Sequence, residues 1–460
     1  MTKTISYLRT EDAPTLPPPV TDTGIVGWLR KHILSTMNDF SSPGAAIASV
    51  FYGVLTFGLL FIGVSIVWSL IDFTLINAVW SDPEGLKRGV CTTAEQGGVA
   101  VGEVGACWPY VSAKWQLFIY GRYPETELWR VDLVFLMLAV GIAWMVIEKM
   151  PLRKWVALFM LVAFPLIALI LLGGGNADFE QTTIGFFLIA GGAFYLAGVL
   201  GLSEKLGEVL LAFGGGVKAF GILLLAIGVV MLFMSLDYGL EGVDTDRWGG
   251  LMLTLVVALT GIVASLPIGI VLALGRRSKL PLFRIASITY IEFWRGVPLI
   301  TVLFMSSVML PLFLPEGTEF DKLLRALIGV ALFSSAYMAE VVRGGLQAIS
   351  KGQYEGAQAL GLNANQTNKM IILPQALKIV IPGIVNTFIG LFKDTTLVLI
   401  IGLFDLLGII QSTFADASWA TPVTSLTGYL VCAAIFWIFC FGMSRYSVFL
   451  EDKLHTGHKR

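Results

Sequence analysis

Long apolar runs, broken by shorter polar stretches, follow one another along nearly the whole chain. A bilayer core about 30 Å thick takes about 20 helical residues to cross. On that measure ten stretches read as membrane-crossing helices, near residues 46–75, 130–148, 155–173, 183–202, 219–236, 249–275, 298–314, 325–347, 378–406 and 425–447. The pattern predicts an all-α, polytopic membrane protein of about ten transmembrane helices. The polar stretches divide it further. Residues 1–45 open with a proline-rich polar segment that has no apolar core of the kind a cleavable signal carries, and read as a disordered cytoplasmic lead-in. Residues 46–236 read as an N-terminal transmembrane extension interrupted by a long loop at 76–129, residues 249–450 as a second membrane region, and residues 451–460 as a cytoplasmic basic tail.

Composition strengthens this picture: 56% of the 460 residues are hydrophobic, only 14% are charged, and the mean hydropathy is +0.80. A soluble globular protein does not have these values. The 31 basic and 32 acidic residues balance, so nothing in the charge calls for nucleic acid as a partner, whereas membrane lipid is the expected surroundings.

The placement of charge sets the orientation. Lys and Arg in short loops are retained on the cytoplasmic side. With the N-terminus inside, Arg30, Lys31, Lys149, Arg153, Lys154, Lys205, Lys218, Arg276, Arg277, Lys279 and Arg284 all fall inside. Loops 174–182 and 407–424 on the other side contain neither Lys nor Arg. The bias is not absolute, because loop 76–129 carries Lys87, Arg88, Lys114 and Arg122, and 315–324 carries Lys322. Both ends of the chain and the loop 348–377 are expected in the cytoplasm, and loop 76–129 in the periplasm.

Loop 348–377 contains the most specific local signal. "EGAQALGLNANQTNKMIILPQALKIVIP" (355–382) is rich in small residues and amides that cannot rest unpaired in hydrocarbon. Helix formers ending at Gly361 suit a short helix closed by a residue of positive φ. Pro374 suits the first turn of the next helix, where its missing N–H is of no consequence. The expected geometry is short helix, tight turn, then a helix entering a span.

Glu355, Gly356, Ala357, Gly361, Ile371, Leu373 and Pro374, at their spacing, resemble the "EAA" motif of ATP-binding-cassette importer permeases, with Gly356 in place of the first alanine. "YIEFWRGVPLI" (290–300), "AYMAEVVRGGLQAISKGQYEGAQALG" (336–361) and "KDTTLV" (393–398) are similar to segments of the polar amino acid branch of that family, and the long N-terminal half resembles one permease subunit of the general L-amino acid importers. The resemblance covers about residues 249–450. It implies a type I importer permease core in the C-terminal half, with the motif forming the coupling helix that enters a groove on a separate ATPase. It also implies an ABC ATPase subunit dimer, a second permease subunit that is non-identical, and a periplasmic amino-acid-binding protein as partners.

Other residues mark candidate sites. Glu292 and Arg295, three apart before the 298–314 run, and Glu340 and Arg343, three apart near the end of 325–347, share helix faces and read as structural ion pairs or gate supports. Asn386, Gly390, Lys393 and Asp394 fall on one side of a helix and are followed by Thr395 and Thr396. Lys393 lies about fifteen residues beyond Lys378, or about 22 Å into the core. These residues form a candidate translocation pathway able to meet an ammonium and a carboxylate; mutual neutralisation, or pairing at a subunit interface, is the alternative. Cys91 and Cys107 could close a loop of about 15 residues, worth about 3 kcal/mol in the chain-entropy view, or stand as two free thiols. Cys432 and Cys440 read as packing residues.

The chain lacks a phosphate-binding G-x-x-x-x-G-K-[ST] loop, a G-x-S-x-G elbow and a histidine set suited to a metal or a triad, its three histidines being His32, His455 and His458. It is therefore not expected to be an enzyme, to hold a cofactor or to bind a metal; ATP hydrolysis is expected on a separate subunit. The reading is a permease subunit of the bacterial inner membrane that moves polar or general L-amino acids inward. An ion-gradient-driven secondary transporter and a non-translocating membrane scaffold or sensor subunit are the alternatives. The absence of a convincing repeat between residues 1–248 and 249–460 weighs against the first of them.

Overall fold

The computed structural model describes residues 43–100, 102–147, 149–175, 179–200, 214–313 and 321–454. The lead-in 1–42, with His32, and the tail 455–460, with His455 and His458, lie outside the described residues. Those residues form helices joined by turns and isolated bridges. Two compact units are distinguished, 1–81 with 89–107 and 82–88 with 108–460.

The first unit is built on one long helix, α1 (Pro43–Ile71), which continues through a π-helical turn at Asp72–Ile76. Its large apolar side chains are exposed along most of its length, as expected of a helix whose solvent is lipid. The following loop folds back on the end of this helix: Ala106 N–H donates to the Phe73 carbonyl (2.7 Å), Gly105 N–H to Asn77 (2.8 Å) and Val79 N–H to Ala106 (2.9 Å). Cys91 and Cys107 are joined as a disulfide, with Cα atoms 5.8 Å apart, and both are buried.

The second unit begins with α2 (Trp108–Tyr120), followed by α3 (Leu128–Val146), α4 (Arg153–Gly173), α5 (Gln181–Val199) and α6 (Gly214–Ser235). Five further elements carry most of the remainder: α7 (Gly250–Arg276), α8 (Pro281–Gly296), α9 (Leu299–Phe304), α10 (Lys322–Ala348) and α11 (Lys351–Ala359). The chain ends with α12 (Ala364–Thr367), α13 (Leu373–Ile379), α14 (Ile381–Asp394), α15 (Leu406–Ser412) and α16 (Thr424–Leu454). α7 and α10 form the central pair, α14 packs beside them, and α16 packs against α14. One apolar core joins Val131 and Val134 of α3, Phe164 and Leu172 of α4, Met252, Leu253 and Val257 of α7, Leu299 and Leu303 of α9, and Leu391 of α14. Two extension helices thus share their buried face with the C-terminal half. Arg130 is 1% exposed; it pairs with Glu127 (2.6 Å) and donates to the Glu241 carbonyl (2.7 Å), joining α3 to the segment before α7.

The expectation of ten straight spans is approximate. Among the described residues eight helices are long and apolar enough to cross a membrane, and nine if a bent pair counts as one. At 219–236 the apolar helix Phe220–Ser235 is shorter than the others. At 298–314 there is no straight span, because Pro281–Gly296 and Leu299–Phe313 meet at 101°. Pro298 explains the bend: it drives Val297 into extended backbone (φ −112°, ψ 132°), where no helix can continue. The 378–406 run is also segmented. Val380 leaves helical geometry two residues before Pro382, and after Asp394 the chain tightens into a 3-10 turn, Thr395–Ile401, that ends at Gly402 with φ +75°.

Contacts define two ends of this bundle. Gly250, Lys322 and the 402–419 segment gather at one, where Gly250 N–H donates to the Phe404 carbonyl (3.0 Å) and Lys322 lies 3.9 Å from Asp246. At the other end Arg277, Leu346 and Ala376 gather with α11 and α13.

Candidate functional site

At the Arg277 end the motif residues build a helix, a turn and a second helix. α11 stops through two bonds, Gly361 N–H to the Gln358 carbonyl (2.9 Å) and Leu362 N–H to the Ala357 carbonyl (3.1 Å), with Gly361 at φ +75°. This double closure satisfies carbonyls at the helix end and requires a left-handed residue, which glycine adopts without strain. Space around Gly361 and Gly356 is open, so φ alone decides the first and the Gly356 departure from alanine meets no steric demand. Ala357 is 1% exposed, whereas Glu355 and Gly356 face outward.

The amides that follow have a use the sequence did not reveal. Asn363 Oδ1 accepts from Gln366 N–H (2.9 Å) and Gln366 Oε1 from Asn363 N–H (3.0 Å), a reciprocal capping box that starts α12. Gln375 Nε2 donates to Gln353 Oε1 (3.0 Å) and to the Ile371 carbonyl (3.0 Å), tying α13 to α11. Ile372 and Ala376 are buried among Ala273, Met338, Val342 and Leu346, with Ile371 and Leu373 half-buried around them and Pro374 exposed. α13 is pressed so close to α10 that a Cβ on Gly345 would lie 2.6 Å from the Ala376 carbonyl.

A cation completes the attachment. The Arg277 guanidinium donates to the Leu346 carbonyl (3.2 Å) and to the Tyr354 hydroxyl (2.9 Å), and lies 5.5 Å from the centre of the Tyr354 ring. The C-terminus of α7, the last turns of α10 and α11 are therefore linked through one side chain. Beside it Arg277, Gln347, Ile349, Lys351, Tyr354 and Glu355 line an open groove of about 450 Å³. Two apolar side chains point away from all of this: Leu360 is 77% exposed and Met370 66%.

The ion pairs form one cluster. Glu340 receives Arg343 (2.6 Å), Arg276 (2.9 Å) and, more distantly, Arg295 (3.7 Å), while Arg276 also reaches Glu292 (3.0 Å). The three-residue spacing predicts Arg295 as the partner of Glu292; in the fold Glu292 pairs instead with Arg276, at the end of α7. Arg295 also lies 5.8 Å from the Tyr337 ring centre. Three cations face two carboxylates, and the cluster fastens α7, α8 and α10 together.

On α14, Asn386 and Lys393 are exposed, Gly390 and Asp394 are partly exposed, and no ion pair joins Lys393 to Asp394 or to another carboxylate among the described residues. Thr395 differs from them: it is 2% exposed and its hydroxyl donates to the Phe392 carbonyl (2.9 Å), so it serves the helix end.

Comparison with known proteins places these features. Residues 265–456 match the family described as the binding-protein-dependent transport system inner membrane component. The inner membrane amino-acid ABC transporter permease protein YhdY of Escherichia coli (strain K12) is 42% identical over 430 residues, covering 94% of this chain and 93% of its own. The glutamate/glutamine/aspartate/asparagine transport system permease protein BztC of Rhodobacter capsulatus is 41% identical over 459 residues, 99% of each chain. A crystal structure of an amino acid ABC transporter with histidines aligns with TM-score 0.39 and 29% identity over 44% of this chain and 92% of that one. Identity at this level runs through the extension as well as the motif-bearing half, so the chain belongs to the amino-acid ABC transporter permeases: multi-pass subunits of the bacterial inner membrane that work with a substrate-binding protein and leave ATP hydrolysis to a separate subunit.

Proposed function

We propose that this permease carries polar L-amino acids into the cytoplasm, and that residues 355–374 are the place where its ATPase partner pushes. The observation that carries the reading is the pair of outward apolar side chains, Leu360 and Met370, on a helix-turn-helix that is otherwise fastened firmly to the bundle. An exposed apolar tip on a rigid mount suits a socket on another protein, and aqueous solvent alone gives it no stabilisation. Arg277 passes any displacement of α11 to α7 and α10. The substrate class is supported by the amides and carboxylates named for the relative from Rhodobacter capsulatus. Both termini lie in the cytoplasm in this reading, lipid surrounds the apolar faces, and a second, non-identical permease completes the pathway.

Lys393 and Asp394 offer one charge of each sign, unpaired with one another, to the ammonium and carboxylate common to all amino acids, with Asn386 and Gly390 lining the same side. The test is co-purification followed by reconstitution. Glu355→Cys should crosslink to a nucleotide-hydrolysing subunit, and uptake of L-glutamate and L-glutamine into proteoliposomes should require ATP and survive an ionophore. Crosslinks that never reach an ATPase would sink the coupling assignment. Unchanged uptake kinetics in Lys393→Ala and Asp394→Ala would remove those residues from the pathway.

A further inference from the structure

The N-terminal extension sends one short helix to the Gly250 end of the bundle, and its contacts there are unusually specific. Tyr110 of α2 is fully buried, and its hydroxyl lies 2.6 Å from Thr413 Oγ1. Thr413 itself donates to the Ile410 carbonyl (2.6 Å), so the Tyr110 hydroxyl is the donor in the pair. The Tyr110 ring sits 6.2 Å from that of Trp419. One helical turn along α2, Lys114 pairs with Asp416 at 2.5 Å. Where α2 ends, Arg122 N–H donates to the Arg247 carbonyl (3.1 Å) and its guanidinium covers the Phe404 ring at 5.5 Å.

Three glycines make this approach feasible. Gly121 has φ +66°, and a Cβ there would lie 2.4 Å from Gly249 Cα. Gly250 has φ +62°, and its Cβ would lie 2.3 Å from the Phe118 carbonyl oxygen. The backbones of α2, the start of α7 and the Phe404 turn therefore touch directly. Beneath them Thr254 Oγ1 accepts from Leu406 N–H (3.0 Å), and the buried Asp405 caps α15 through Gly408 N–H (2.9 Å).

The segment so gripped, 402–419, connects the end of α14, which carries Lys393 and Asp394, to α16. We propose that α2 is a brace built by the extension onto the core: Tyr110 and Lys114 are positioning residues that hold 402–419, and through it the end of α14, in the arrangement from which the substrate-loaded binding protein triggers transport. The functional half of this rests on the amino-acid import reading above; the brace itself does not. The extension is on this account a working part of the core's receiving end, and loosening it raises the threshold for the trigger while leaving the ATPase end untouched.

A charge swap tests it in the complete transporter, reconstituted with its ATPase, second permease and binding protein, with L-glutamate, L-glutamine, L-aspartate and L-asparagine together as the probe. Lys114→Asp and Asp416→Lys should each leave basal ATP hydrolysis at the wild-type rate, lower the stimulation by loaded binding protein about three- to fivefold, as the loss of a partly exposed ion pair and its replacement by like charges allows, and speed hydrogen exchange across 404–419. The double variant should restore both. Tyr110→Phe should speed exchange over the same residues by a smaller factor. Stimulation and exchange unaltered in the single variants, failure of the swap to restore them, or a fall in basal and stimulated hydrolysis in equal proportion would each overturn the brace. If exchange follows the swaps while no tested amino acid stimulates even the wild type, the brace stands and the import reading falls.

Discussion

The two ends of the bundle are closed in opposite ways. At the Gly250 end backbones interlock through Gly121, Gly249 and Gly250, and the polar side chains Tyr110, Thr413, Thr254 and Lys114 all find partners within the chain. At the Arg277 end one guanidinium and one patch of apolar packing hold a small helical knob whose tip, Leu360 and Met370, touches little. The first end is closed mainly by contacts within the chain, although Trp248 Nε1 and Asp405 Oδ2 are buried there without a hydrogen-bond partner. The second leaves two apolar side chains uncovered, and on the coupling reading proposed above it is the end left for another subunit to complete.

Crowding at the first end should make it the less tolerant. Gly121→Val adds a branched side chain at φ +66° against Gly249, and should destabilise by more than about 3 kcal/mol, the range reserved for strain combined with overpacking; loss of folded protein in detergent would register it, and a normal yield with normal melting would contradict the interlock. Arg277→Ala comes next. It removes two hydrogen bonds from a charged donor, about 1.5–3 kcal/mol each where buried and less at this partly exposed site. Transport per ATP hydrolysed should fall further than hydrolysis itself, whereas a simple folding defect lowers both together. Gly361→Ala follows at about 1–2 kcal/mol, since only φ is violated in open space. Gly356→Ala beside it should be neutral or slightly stabilising by up to about 1 kcal/mol, and equal effects from the two would contradict the double-bonded stop of α11. The smallest effect is that of pH. The hydrogen bond from Lys114, followed by those from Ser418, lowers the Asp416 carboxyl below its ordinary value. A depressed carboxylate stabilises above its unfolded pKa and ceases to do so only as pH falls through the folded value. Protection across 413–419, taken relative to the intrinsic exchange rate at each pH and beyond the helix that buried Asp405 caps, should therefore be flat from about pH 5 to 8 and fall only below about pH 4; a fall near pH 6 would point to a different group.

Local features of the knob were legible because their causes are local. Gly361 must close a helix, Pro374 must sit in a first turn, and the apolar length of α7, α10 and α16 sets their span. The bend at Pro298 was encoded in the same local way, but an apolar run on both sides concealed it from a count of hydropathy. Long-range partnerships left no such mark. Arg276 finds Glu340 across 64 positions and Tyr110 finds Thr413 across 303, so neither lies in any window where periodicity operates. Glu292 shows the difference well: three-residue spacing offered Arg295 as its partner, and the fold supplied Arg276 from another helix. The capping box of Asn363 and Gln366 was a signal of the right type, an amide three residues before another, hidden among neighbouring amides.

The bare tip of the knob also bears on how much of this protein a cell can keep. On the proposed coupling reading, Leu360 and Met370 present a greasy surface to the cytoplasm whenever no socket covers them, and quality-control chaperones and proteases read such surfaces as signs of misfolding. A permease made in excess over its ATPase would thus be marked for removal by the same residues proposed to dock it, and stoichiometry would be kept by destruction of the surplus.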